Sequence, residues 1–274
     1  MNLLILDLII AVSRAIRAFL ASTGDSGVLS QIIETLVRLG LEDSRRGCIE
    51  MAFKGCHFPK DVILKAIRWY TAYPLSYRHV EELMEERGID VDHATVNRWV
   101  VKYSPSLEST FRQTKKPIGK SWRMDETYIR AKGQWVYYYR AVDKGNQTID
   151  FFLSPTRDTQ AAQAFFEKAI ESSGKPEKVN MDKSGANLAG LKQINQGLPE
   201  DQQIGIRQVK YLNNLIEQDH RGIKRIVKPM LGFKNIFSAA ATLSGIELYH
   251  MLRKGQNKLA GTLPAWKQFY ALAE

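Results

Sequence analysis

Apolar side chains recur at helical spacing in three successive stretches of residues 57–105. Val62, Ile63, Ala66, Ile67, Trp69 and Tyr70 form the first face, and Pro74 ends it. Ser76 can cap a second helix with Val80, Leu83 and Met84 inside, and Gly88 suits a left-handed stop. Asp92 can cap a third, from about His93 to Tyr103. Its Val96, Trp99, Val100 and Tyr103 fall at i, i+3, i+4 and i+7 and make one buried stripe. Ser104 to Lys120, with Pro105, Pro117 and the pair Lys115–Lys116, reads as a basic linker.

The period changes at Trp122. Residues from Arg123 to Arg130 alternate as a strand does, and Lys132–Gly133 makes a turn. Trp135 to Val142 is aromatic and β-branched, Gly145–Asn146 turns again, and Thr148 to Leu153 completes a meander. Asp158 can cap a helix through Ile170 with Ala162, Phe165, Phe166 and Ala169 buried. A short strand from Lys178 to Met181 ends at Asp182, and a helical stretch follows Gly185. Another short strand spans Ile206 to Val209, and a helix containing Glu217 opens at Asn213 or Asn214. This is the element order of the ribonuclease-H-like α/β fold, a mixed five-stranded sheet with flanking helices. Residues 121–225 form that core, residues 51–105 an all-α helix-turn-helix domain, 106–120 the linker, and 226–274 a basic helical C-terminal region. Within the last, Met230 to Met251 reads as a closing helix.

The first fifty residues have a different character. They hold an apolar stretch broken by Asp7, contain no lysine and have Phe19 as their one aromatic. Asp7, Arg14 and Arg17 argue against a membrane span, which needs ~20 mostly apolar residues, and no positive charge precedes the apolar part as a secretory signal requires. Met51 reads like a fresh start. Residues 1–50 are therefore an upstream extension from a mis-assigned start or an ordinary helical appendage.

Charge narrows the function classes. The chain of 274 residues has a formal net charge of +10, and residues 207–274 carry 11 Lys or Arg against 4 Asp or Glu. Such an excess suits a polyanion, nucleic acid before an anionic membrane surface, although basic surfaces also serve solubility. Two cysteines, Cys48 and Cys56, make no disulfide framework and point to a reducing, cytoplasmic setting.

Two patterns carry chemistry. On the third helix, Thr95, Arg98 and Lys102, flanked by His93 and Asn97, lie away from the buried stripe. A helix-turn-helix lays such a face in the major groove, where Arg and Asn can read base edges at ~1–3 kcal/mol per good pair. A plain bundle with a solvated polar face would show the same residues. In the core, Asp125 lies in the first strand, Asp182 ends the fourth and Glu217 rides on the last helix. In a ribonuclease-H-like sheet the first and fourth strands are neighbours, so the three acids converge. Converging carboxylates require cations, and hard oxygen ligands suit magnesium or manganese. Two ions ~3.5–4 Å apart stabilise both oxygens of a phosphodiester displacement. Lys224 follows Glu217 by two helical turns, and His220 and Arg221 share that face, which suits a grip on DNA phosphate. Glu126 should point to the opposite face by strand alternation. Asp143 reads as a turn residue and Asp219 as turned away from Glu217. The histidines show no zinc spacing. Lys228, Lys234, Arg253 and Lys254 suit DNA backbone.

Several runs together resemble a known family. These are Met124-Asp125-Glu126-Thr127-Tyr128, Asp182-Lys183-Ser184-Gly185-Ala186-Asn187 and Asn214-Leu215-Ile216-Glu217-Gln218-Asp219-His220-Arg221. They are similar to the DDE transposases of bacterial insertion sequences, in particular the insertion-sequence-six family. Thirty-four residues separate Asp182 from Glu217, the family's interval, and Lys224 matches its basic residue seven after the glutamate. His57-Phe58-Pro59, Arg68-Trp69-Tyr70, Ser76-Tyr77-Arg78, Glu85-Glu86-Arg87-Gly88 and Arg98-Trp99 match its helix-turn-helix region. Cys56 stands where the family usually has arginine, and residues 1–50 have no counterpart. The resemblance implies binding to terminal inverted repeats of double-stranded DNA and metal-dependent nicking. It also implies attack of the freed 3′-hydroxyl on target DNA, with replicative cointegrate formation. A homodimer or larger assembly on paired ends is implied, with Asp125, Asp182 and Glu217 holding two Mg2+ (or Mn2+) ions and Tyr128 and Ser184 not acting as nucleophiles. A different ribonuclease-H-like nuclease and a DNA-binding regulator are the alternative readings of the residues.

Overall fold

In the computed structural model, helix α1 (Lys60–Ala72) turns Val62, Ile63, Ala66, Ile67 and Tyr70 inward. It stops at Tyr73, which is extended as the residue before Pro74 must be. Helix α2 (Tyr77–Glu85) begins with a capping box in which His79 takes the place usually held by Glu or Gln. Gly88 then adopts φ 71°, the left-handed stop expected of it. Asp92 accepts from the Ala94 and Thr95 amides, both at 2.9 Å, and opens helix α3 (His93–Thr114).

Helix α3 does not end at Tyr103. It runs through Pro105 and absorbs much of the expected linker. The proline removes one amide hydrogen bond. In return, Leu107 and Phe111 are fully buried, and Arg112 pairs with Asp150 on the sheet at 2.9 Å. Tertiary burial outweighs the local break.

The next strands are β1 (Ser121–Ala131), β2 (Gln134–Asp143) and β3 (Thr148–Ser154), an antiparallel meander. Lys132 and Gly133 both have positive φ, which matches the twist of a two-residue hairpin. Asp143 is the turn residue expected, accepting from the amides of Gly145, Gln147 and Gly119. Asp158 caps helix α4 (Thr159–Ser173). Strands β4 (Lys178–Asn180) and β5 (Gly205–Arg207) then pair in parallel, β4 with β1 and β5 with β4. Helix α5 (Gly185–Gln196) lies between them in sequence. The sheet order β3-β2-β1-β4-β5, with the first three strands antiparallel and the last two parallel to β1, is the ribonuclease-H-like arrangement.

Trp122, Met124, Tyr139, Phe165 and Phe166 belong to one core, which joins the sheet to α4 and α5. A second core joins Ile129, Tyr138 and Phe151 of the sheet to α1 and α3, to helix α6 (Asn214–Val227) and to helix α7 (Ile236–Arg253). Helix α7 is the expected closing helix, and α8 (Ala265–Ala271) follows it. A Cβ on Gly245 would stand 2.7 Å from Ser104 Oγ and from Thr71 Cγ2, so α7 approaches α1 and α3 through a glycine. The amino-terminal helices thus pack onto the carboxy-terminal region within one compact unit, residues 50–274.

The structure describes residues 53, 56–259 and 261–274. The apolar stretch and the extension read in residues 1–50 lie outside them, as does Cys48. Among the described residues no helix is long and apolar enough to cross a membrane.

Candidate active site

Strand β1 pairs with β4 only through Ser121 to Arg123, so on that side its edge is open from Met124 until Phe233 bridges Ala131. β4 ends at Asn180, and Asp182 follows beside this open edge. One carboxylate oxygen from each of Asp125, Glu126 and Asp182 lies within 4.8 Å of the others. The structure thus brings two of the three expected acids together and adds Glu126, which alternation had set aside. Alternation itself holds, since Asp125 meets α6 through His220 while Glu126 meets α5 through Asn187. With no neighbouring strand in the way, both carboxylates reach the same open edge.

Glu217 is exposed in the first turn of α6 and is not one of these three acids. The start of its helix is tied to the sheet. Asn180 Nδ2 donates to Asn213 Oδ1 at 2.6 Å, and Asn213 is buried next to β1. Two residues after Glu217, Asp219 is buried and accepts from Arg140 at 2.7 Å. His250 and Lys254 also hold Asp219, and Arg140 is shared with Glu247. Burial alone would raise the Asp219 carboxyl, but His250, Arg140 and Lys254 hold it well below the usual range.

Arg157, just before α4, spans two of the clustered acids. Its Nε donates to Glu126 at 2.8 Å and its Nη2 lies 3.5 Å from Asp182. Asn187 donates to Glu126 at 2.9 Å, and the Ser184 amide donates to Asp182 at 3.0 Å. Burial raises the Glu126 carboxyl despite the opposing bonds from Arg157 and Asn187. The residue pattern assigned nothing to Arg157, Asn180 and Arg140, and marked Asn213 only as a possible start of the Glu217 helix. Asn187 lay inside a quoted motif without a role, and only its place in that motif could have flagged it.

The expected DNA-contacting residues divide. Arg98 and Lys102 on α3 and Arg221 and Lys224 on α6 are exposed. His93 is exposed and bonded to Glu81 at 3.0 Å, Thr95 bonds Asp92, and Asn97 is half-buried. His220 is a correction. It is only 4% exposed, on the inward side of α6, so it cannot face a phosphate. Its Nε2 comes within 3.4 Å of Asp125, yet neither ring nitrogen has a well-aligned hydrogen-bond partner. Burial lowers its proton affinity, with Asp125 opposing. Spacing placed it with Arg221, but at i+3 from Glu217 it falls on the inward edge that Ile216 and Ile223 define. Lys254 is likewise committed inside, to Thr148 and Asp219, whereas Lys228, Lys234 and Arg253 stay exposed, Arg253 with one bond to the Ala72 carbonyl.

Residues 119–256 match a model of the DDE domain of IS240-type transposases. The transposase of the insertion-sequence-like element IS431mec from Staphylococcus aureus is 40% identical over 208 residues, covering 76% of this chain and 91% of that protein. The chain belongs to the DDE transposases of the insertion-sequence-six family. A second relative of this transposase, from insertion sequence IS257 in transposon Tn4003 of the same species, is 39% identical with the same coverage. A solved structure of the HTLV-2 integrase catalytic core domain in complex with magnesium is 15% identical, with a TM-score of 0.34. It covers 58% of this transposase and 86% of the integrase chain. As a DDE transposase the protein is a polynucleotidyl transferase that acts on DNA.

Proposed function

We propose that this transposase binds the terminal inverted repeats of its element, nicks each end and joins the freed 3′-hydroxyl to target DNA. Movement is replicative and yields a cointegrate, and the work is done in the cytoplasm by a homodimer or larger assembly on paired ends. The observation that carries the reading is the meeting of Asp125 and Asp182 at the open edge of β1. Three acids of one sign within 4.8 Å suit hard divalent cations, because Arg157, the one cationic side chain bonded to two of the acids among the described residues, leaves charge uncompensated.

Asp125 and Asp182 would hold Mg2+ ions (Mn2+ can substitute), with Glu217 as third ligand from α6. Divalent ions there supply positive charge to the attacking and leaving oxygens of the scissile phosphodiester. Arg221 and Lys224, exposed on the same helix, grip the flanking phosphates and fix the strand. Residues Arg98 and Lys102 of α3, with His93, Thr95 and Asn97 beside them, face the repeat DNA. Asn213 and Asp219 hold α6, and so Glu217, at a fixed height over the sheet.

The test is a nicking and end-joining assay on duplexes carrying the element's ends, with Mg2+. Asp125→Asn should abolish both steps by more than about a thousandfold while repeat binding survives. Full nicking and joining in that variant would remove the reading, and a wild type that binds the repeats yet performs neither step would leave a regulator that only binds DNA.

A further inference from the structure

We propose that a groove between the tip of the β1–β2 hairpin and the carboxy-terminal half of α6 holds an unstacked nucleotide of the DNA being cut. The proposal rests on the reading above and adds a site to it.

The groove has a volume of about 470 Å3. Its aromatic wall is unusual for a protein surface, since Trp135 is 65% and Tyr128 52% exposed. Both rings lie on the same sheet face, because Trp135 pairs with Arg130 and Tyr128 with Tyr137 across β1 and β2. Exposed rings grouped in a concavity mark a binding surface. The lining is otherwise apolar and cationic. Arg130, Lys224 and Lys228 all border it, all are exposed, and no acid lines it. Aromatic faces framed by cations fit a base between its phosphates, because every base offers a π-face and every linkage a negative charge. An apolar peptide or a second copy of this surface would meet three uncompensated cations.

The groove's position fits the same occupant. Thr127 in its wall is two residues from Asp125, about 7 Å along an extended strand. Lys224 stands two helical turns beyond Glu217, about 10 Å along α6. A DNA strand reaching the carboxylates therefore passes the groove. A paired, stacked base cannot offer its face to a ring, so the occupant must leave the stack. That costs least where the duplex is already open or nicked.

The probes are a short oligothymidine carrying one central 2-aminopurine, the same strand with an abasic site in its place, and a duplex of equal length. With the full chain, the fluorescence of the single strand should be quenched by stacking, and the abasic strand should bind more weakly. Trp135→Ala should lower single-strand affinity roughly tenfold and abolish quenching, while Trp135→Phe keeps most of both. Duplex affinity should stay unchanged in both variants. Arg130→Gln or Lys228→Gln should each lower the salt dependence of single-strand binding by about 0.7 in the log–log slope. Unchanged single-strand binding and quenching in Trp135→Ala would overturn the groove proposal, as would a change in the protein's own oligomeric state in place of a binding loss. In either case, retained duplex binding leaves the transposition reading standing. A wild-type chain that binds neither DNA would overturn both.

Discussion

Asp219 of α6 and Arg140 of β2 meet at 2.7 Å, with almost no solvent at either side chain. A charge pair so buried is costly to desolvate and gains little over an apolar pair. Here it fastens the helix that carries Glu217 to the strand beside β1, with Glu247 of α7 sharing the same guanidinium.

Breaking one side should therefore be severe. Arg140→Met leaves Asp219 and Glu247 buried beside each other without their shared cation, at a cost of about 3–5 kcal/mol. Urea or guanidinium unfolding measures this directly. A loss below about 1 kcal/mol would mean that the pair contributes no more than a surface ion pair.

Asp150 gives the fold a sensitivity to acid. Burial would raise its carboxyl, but Arg112 and then Lys168 outweigh that and hold it at about 2 against an ordinary 3.8. A carboxylate whose folded value is depressed adds stability above its unfolded value and loses it as pH falls towards the folded one. The contribution, on the order of 2 kcal/mol, should be complete above about pH 5 and fade between about pH 4 and 2. Unfolding of the wild type and of Asp150→Asn across that window would show their difference shrinking; a constant difference would contradict the assignment.

Much of this architecture could be read from the residues. Period-two alternation from Arg123 to Arg130, the aromatic and β-branched run from Trp135 to Val142 and the caps Ser76, Asp92 and Asp158 are local signals, and local signals place elements. Asp125 and Asp182 were legible because strand position alone brings them together. What the sequence hid was tertiary. Pro105 looked like a break because the burial of Phe111 and the Arg112–Asp150 pair lie far along the chain. Glu126 looked misdirected because alternation says nothing about where a neighbouring strand stops. Spacing marked His220 and Lys254 as cations without revealing that Asp125 and Asp219 already occupied them.

The two kinds of cation should separate experimentally. Lys102→Gln, at an exposed position on α3, should weaken duplex binding at all sequences and lower its salt slope by about 0.9. Lys254→Gln should leave that slope alone and lower the melting temperature, because its ammonium lies 2.7 Å from buried Asp219. Equal effects of both on the salt slope would contradict this division.

The most direct measurement is calorimetric titration of the full chain with Mn2+, set beside Asp125→Asn, Asp182→Asn, Glu217→Gln and Glu126→Gln. The account predicts that each of the first three substitutions weakens binding at least tenfold. Glu126→Gln should have a smaller effect, because its carboxylate is already engaged by Arg157 and Asn187. Unchanged Mn2+ affinity and stoichiometry in Asp125→Asn and Asp182→Asn would contradict a shared metal site at the open edge of β1.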